Sequence, residues 1–222
     1  MQPLPASATP DRHSFLVIHG WQNRQPPRHW QFWLASQLRG RGHHVCYPQL
    51  PDPDFPSVDR WLTVLREHLA EPRTGRYVVI CHSLGCMAWL HLAARGSAYL
   101  PVDGLLFVAP PSPTYLAGWP AIVRFQPPAE HQRALAASSL HPPRLVCGDN
   151  DETCVGGADQ AYPEISDVDV IPGGGHLDVE ANYGEWPSLL NWCENPAVRI
   201  RAAHEPVVGP AGADNVVRPG RD

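Results

Sequence analysis

A chain of 222 residues, 43% apolar and 18% charged, is long enough for one domain with a substantial core and short for two. Its formal charge of −5, with 17 Lys and Arg against 22 Asp and Glu and no dense basic run, gives no electrostatic reason to expect nucleic acid or an anionic membrane as partner. No segment approaches the ~18 consecutive apolar residues of a membrane span.

In chain order, residues 1–12 are rich in Pro, Ala and Ser, do not read as a secretory signal, and are expected to be flexible. Phe15-Leu16-Val17-Ile18 is a short apolar run of the kind found in a strand buried on both faces. Trp30, Trp33, Leu34 and Leu38 then fall at helical spacing, with Gly40 and Gly42 as stop signals. His44-Val45-Cys46-Tyr47 reads as a strand. Val58, Trp61, Leu62, Leu65 and Leu69 form a helical stripe behind a candidate N-cap, Ser57. Tyr77-Val78-Val79-Ile80-Cys81 is the strongest strand, and it runs straight into His82-Ser83-Leu84-Gly85 and a helix from Met87 to Ala94. Further strands are expected at 104–109, 144–147 and 168–171. Residues 110–143 are proline-rich with weak periodicity and read as a long excursion over one edge of the sheet, and residues 196–222 read as a flexible tail. Strand–helix alternation predicts an α/β fold with a mostly parallel sheet of about six strands, confined to residues 13–195. Six cysteines, most of them in or beside apolar runs, are read as reduced thiols of a cytoplasmic protein.

A serine hydroxyl is a weak nucleophile and needs a base beside it and a turn that lifts it clear of the backbone. The strand-to-helix turn G-x-S-x-G supplies such a position, and Cys81-His82-Ser83-Leu84-Gly85 matches it with cysteine in place of the first glycine. The chain order Ser, acid, His is completed by Asp151, or Asp149 as runner-up, after the strand ending near Cys147, and by His176 behind Gly173-Gly174-Gly175. The oxyanion donors are assigned to the backbone N–H of Leu84 and of Trp21, or failing that Gln22, after the first strand. Cys86 reads as a helix residue packed near the turn rather than a second nucleophile. No Cys/His spacing resembles a zinc site, so neither metal nor cofactor is expected.

With these residues in place, the chain resembles the small serine-hydrolase family that includes retinoblastoma-binding protein 9 and its bacterial relatives. The matching pieces are His19-Gly20-Trp21-Gln22 with His29-Trp30-Gln31, His82-Ser83-Leu84-Gly85-Cys86, Asn150-Asp151 with Cys154, and Gly175-His176 leading to Gly184-Glu185-Trp186-Pro187. The resemblance implies a compact α/β-hydrolase fold without a large cap, a triad at Ser83, Asp151 and His176, and hydrolysis of small ester or amide substrates. Two departures stand out: Cys81, and Asn150-Asp151-Glu152 where the family carries Asn-Asp-Pro. A retinoblastoma-type partner is not expected, because the L-x-C-x-E pattern is absent.

The expected activity is therefore hydrolysis of a small acyl substrate, ester, thioester or amide, with acyl transfer and peptidase action left open. The competing expectation is a binding or scaffold protein that keeps the fold with little catalysis, suggested by the altered elbow and the proline-rich segment. Tyr115, Trp119 and Phe125 are candidates for the substrate-side wall, with completion of the core as the other reading of the same aromatics. Trp30, Trp33 and Trp61 lie on helical stripes and read as core, and Trp186 as packing for the histidine loop.

Overall fold

Crossover helices cover both faces of a parallel sheet, so its central strands must be apolar on both sides. The chain meets that requirement. The structure is a computed structural model and describes residues 12–203. In chain order it contains β1 (Ser14–Ile18), α1 (Trp30–Gly40), β2 (His44–Cys46), α2 (Val58–Leu69), β3 (Tyr77–His82), α3 (Leu84–Arg95) and β4 (Gly104–Val108). After these come α4 (Pro113–Ala117), α5 (His131–Ala137), β5 (Arg144–Gly148), α6 (Ala158–Ala161), β6 (Asp167–Ile171) and α7 (Pro187–Glu194). All strand pairs are parallel, in the order β2-β1-β3-β4-β5-β6.

The two-residue period of the strands splits the core into two layers. Leu16, Ile18, Val79, Cys81, Leu105 and Phe107 face one side and pack under α2 and α3. Phe15, Val17, Val78, Ile80, Leu106 and Val108 face the other and pack under α1 and α7. The α2 stripe is buried as its spacing predicts, and Ser57 occupies the N-cap position without a side-chain hydrogen bond. No helix among the described residues is long and apolar enough to cross a membrane, and all six cysteines are free thiols.

Strand order reverses at β1: the chain moves outward to β2 and then returns to place β3 on the other side. Such a switch point leaves a crevice at the carboxyl ends of the two strands, where open α/β sheets bind ligands. Both β1 and β3 end in the segments singled out from sequence.

Two segments depart from expectation. Residues 110–143 are more ordered than their weak periodicity suggests. Pro113 starts α4 behind Ser112, whose hydroxyl accepts from the Tyr115 N–H at 3.1 Å, and a 3-10 turn (Val123–Phe125) and α5 follow. No large cap forms. Residues 196–203, expected to be flexible, are fastened to β6: Ile200 is buried, its N–H donates to Asp169 Oδ2 at 3.1 Å, and Arg199 pairs with Asp167 and Asp169. Arg144 adds bonds to Asp167 and to the Val198 carbonyl. These long-range pairings override a composition that locally favours a loose chain. The rest of the expected tail, 204–222, and residues 1–11 lie outside the described residues.

Candidate active site

The turn between β3 and α3 puts Ser83 at φ 52° and ψ −124°, outside the regions comfortable for a residue with a Cβ. Its surroundings hold it there. The Ser83 N–H donates to the Val108 carbonyl and the Cys86 N–H to the Ser83 carbonyl, both at 2.9 Å. Gly85 is required because the end of β1 crosses the start of α3: a Cβ there would lie 2.7 Å from the His19 carbonyl and 2.8 Å from that of Ile18. Cysteine is tolerated at position 81 because its side chain is fully buried in the core layer under α2 and α3. Cys86 is also fully buried, its thiol directed at the Cys81 and Val108 carbonyls, and burial pushes its pKa up, so it offers no second nucleophile.

The loop after β6 turns through Gly173 and Gly175, both at positive φ, and is held at several points. Asp149 Oδ1 accepts from the Gly173 N–H at 2.8 Å, and Asn150 Oδ1 from the Gly175 N–H at 2.7 Å. His82 Nε2 donates to the His176 carbonyl at 3.0 Å, and Trp30 Nε1 donates to the Leu177 carbonyl at 2.8 Å. His176 is thereby placed with Nε2 2.9 Å from Ser83 Oγ and Nδ1 2.8 Å from Asp151 Oδ2. Asp151 caps a 3-10 turn (Glu152–Cys154), its Oδ1 accepting from the Thr153 N–H at 2.8 Å, so both carboxylate oxygens are occupied and the side chain is buried. A carboxylate only accepts, which assigns the Nδ1 proton of His176 to the Asp151 side and leaves Nε2 to accept from the Ser83 hydroxyl. Of the two candidate acids the structure brings Asp151 to the imidazole. Asp149 ties down the loop instead.

The segment after β1 runs against the serine: a Cβ on Gly20 would lie 2.8 Å from Ser83 Cβ. The N–H groups of Trp21 and Leu84 find no protein acceptor among the described residues, whereas the Gln22 N–H donates to the Pro53 carbonyl at 2.9 Å. That removes Gln22 from the candidate donors. His19 fixes this segment. Its Nε2 accepts from the Leu50 N–H at 2.8 Å, so Nδ1 carries the proton and donates to the Gly20 carbonyl, also at 2.8 Å. In a trans peptide the carbonyl and the following N–H point in opposite directions, so His19 sets the direction of the Trp21 N–H.

These groups open into a cleft of roughly 960 Å³, toward the upper end of small-molecule sites. Trp21, Tyr115, Trp119 and Ile122 form its apolar wall, with the Trp21 and Trp119 rings edge-on at 5.4 Å. Phe125 does not belong to that wall. It is fully buried, edge-on to Trp61 at 5.2 Å, and completes the core under α2. Trp186 is fully buried against Trp30 and Tyr183, and its Nε1 donates to the Arg201 carbonyl at 2.6 Å, so it anchors the 196–203 segment while Trp30 bonds the histidine loop directly.

Sequence reasoning missed the supporting roles of His19, His82 and Asn150, and of His29, whose Nδ1 accepts from the Gln31 N–H at 3.2 Å to cap α1 and whose ring lies edge-on to that of His82 at 5.2 Å. The signal for His19 and His82 was their position beside Trp21 and Ser83. All three histidines are buried, and burial pushes their imidazoles down from 6.5, to about 4 for His19 and His82 and about 2 for His29, which the nearby His82 also disfavours. The unfolded chain takes up protons at these sites below about pH 6.5, and the folded chain resists doing so until about pH 4 or lower. Stability is therefore expected to fall as pH is lowered across that window. Urea denaturation at a series of pH values checks this, and replacing His29 with Gln should flatten the dependence.

A family model described as serine hydrolase matches residues 15–194. YdeN of Bacillus subtilis (strain 168), named as a hydrolase, is 28% identical over 93 residues, 42% of this chain and 48% of that protein, so the alignment spans about half of the relative's length. The crystal structure of the B. subtilis ydeN gene product superposes with a TM-score of 0.68 at 19% identity, covering 81% of this chain and 96% of that one. A YdeN-like hydrolase from Pectobacterium atrosepticum superposes at 0.64 with 20% identity, covering 84% and 91%.

Proposed function

The chain belongs to the serine hydrolase family, and on that premise we propose that it cleaves small ester, thioester or amide substrates through an acyl-enzyme on Ser83. The observation that carries this reading is the hydrogen-bonded line from Ser83 Oγ through His176 to Asp151, at 2.9 and 2.8 Å, at an open cleft. Ser83 Oγ attacks the substrate carbonyl as its proton passes to His176 Nε2. Asp151 stabilises the resulting imidazolium, and the N–H groups of Trp21 and Leu84 receive the developing oxyanion. The imidazolium then protonates the leaving alcohol, thiol or amine. A water molecule enters, gives its proton to His176, attacks the acyl carbon and releases the acid with Ser83 restored. The elbow cysteine, which had suggested a binding protein, leaves the Ser83 turn intact, and this favours the enzyme.

The apolar wall of Trp21, Tyr115, Trp119 and Ile122 supports a preference for acyl or leaving groups with apolar surface. Hydrolysis of p-nitrophenyl esters of increasing chain length tests both points. Turnover that rises with apolar surface and then declines is expected, and absence of turnover on every ester, thioester and amide tried would overturn the reading. Trp119 is 45% exposed, so Trp119→Ala should fold normally. It should raise KM roughly tenfold with kcat little changed, equal to about 1.4 kcal/mol of uniform binding lost.

A further inference from the structure

Edge strand β2 carries His44 and Cys46, two residues apart and so on one face. Cys46 packs against the core layer under α2, which identifies that face as the one α2 covers. The end of α2 supplies His68 and, just beyond it, Glu71, three residues apart. Cys46 Sγ lies 3.0 Å from Glu71 Oε2, and His44 Nε2 lies 3.9 Å from the same oxygen. The donor atoms of His44, Cys46 and Glu71 all fall within 4.8 Å of one another. His68 Nδ1 sits 2.6 Å from the other carboxylate oxygen, Oε1.

We propose that His44, Cys46 and Glu71 form a binding site for a zinc-type divalent metal ion, with His68 orienting the carboxylate and a water completing the shell. Imidazole nitrogen, thiolate sulfur and carboxylate oxygen are the three donor types zinc takes, and one thiolate with one carboxylate neutralises its charge. Tetrahedral bonds of about 2.0 Å to nitrogen or oxygen and 2.3 Å to sulfur place donor atoms about 3.3–3.5 Å apart. Two of the three donor separations, 3.0 and 3.9 Å, bracket that range and the third is within 4.8 Å, so side-chain rotations are what close the shell. A histidine bonded to the distal oxygen of a ligating carboxylate is the kind of outer contact that orients metal ligands. The side chains of His44 and Glu71 are 47% and 38% exposed, which gives an ion a path in. Tyr77, in the same row of the sheet as His44 through Ser14, has a buried hydroxyl with no partner among the described residues. In binding, the metal takes the place of the Cys46 thiol proton, which is released to solvent, and no electron is transferred. The bound ion would tie β2 to the end of α2.

The test uses tag-free full-length protein stripped with chelator. Zinc titrated by calorimetry should bind with one equivalent at this site and raise Tm, and cobalt(II) in its place should give a thiolate-to-cobalt charge-transfer band. Both signals should vanish in Cys46→Ser and weaken in His44→Ala, an exposed position where folding is not at risk. Both should persist in Ser83→Ala, which separates this proposal from the hydrolase reading. A cobalt complex without the thiolate band, a band that survives Cys46→Ser, or no binding by folded wild-type protein would each overturn it.

Discussion

Ser83→Ala is expected to lower kcat by about 10⁶-fold, the loss seen when a triad nucleophile is removed and only binding and the oxyanion donors remain. The substitution deletes one oxygen, and the fold has little reason to change. The backbone bonds that hold the turn, Ser83 N–H to Val108 and Cys86 N–H to Ser83, do not involve the side chain. KM should therefore stay close to wild type and the thermal transition should be retained. Steady-state kinetics on the best ester, with circular dichroism of the same samples, provide the check. A kcat within tenfold of wild type would mean that another group performs the attack.

Asp151→Asn is expected to cost about 10⁴-fold in kcat, the scale on which the wrong histidine tautomer penalises a triad. The asparagine fits the same space and its oxygen can still accept from the Thr153 N–H. Its NH₂, however, now faces His176 Nδ1 where an acceptor stood. The imidazole then favours carrying its proton on Nε2, where it cannot take the proton of Ser83. Asp149→Asn makes a sharp comparison. Its carbonyl oxygen can still accept from the Gly173 N–H, so kcat should stay within a few-fold of wild type. Equal losses in the two variants would show that the histidine loop, rather than the Asp151 carboxylate, is what matters.

The sheet and the elbow were legible in sequence because they rest on local signals. Strands apolar on both faces, the α2 stripe and a serine where the strongest strand meets a helix need no knowledge of distant partners. The order Ser83, Asp151, His176 could be read because each residue follows its own strand. Choosing Asp151 over Asp149 rested on the turn that Gly148 and the residues after it can make and on the resemblance of Asn150-Asp151 to the family's acid. The physical difference between them is that Asp149 is engaged by Gly173, 24 residues away.

What sequence could not show depended on long-range contacts. Tyr115, Trp119 and Phe125 look alike in a proline-rich stretch, and only the approach of Trp61 from α2 and His91 from α3 takes Phe125 into the core. The α4 and α5 helices are too short for a hydrophobic period to emerge, although Ser112-Pro113 is a readable start signal. Residues 196–203 read as loose because the partners of Arg199 and Ile200 lie about thirty residues back, on β6. The grouping of His44, Cys46 and Glu71 escaped for a related reason: His44-Val45-Cys46 and His68 with Glu71 are two short pairs, and only the chain just beyond α2 reaching the edge strand β2 brings them together.

The proposed chemistry depends above all on Ser83 Oγ forming the covalent bond. A fluorophosphonate probe, followed by proteolysis and tandem mass spectrometry, reads this directly. One adduct per chain on Ser83, absent from Ser83→Ala and strongly slowed in a variant lacking the His176 imidazole, is the expected result. Folded wild-type protein that stays unlabelled, or that carries the adduct on a different residue, would contradict it.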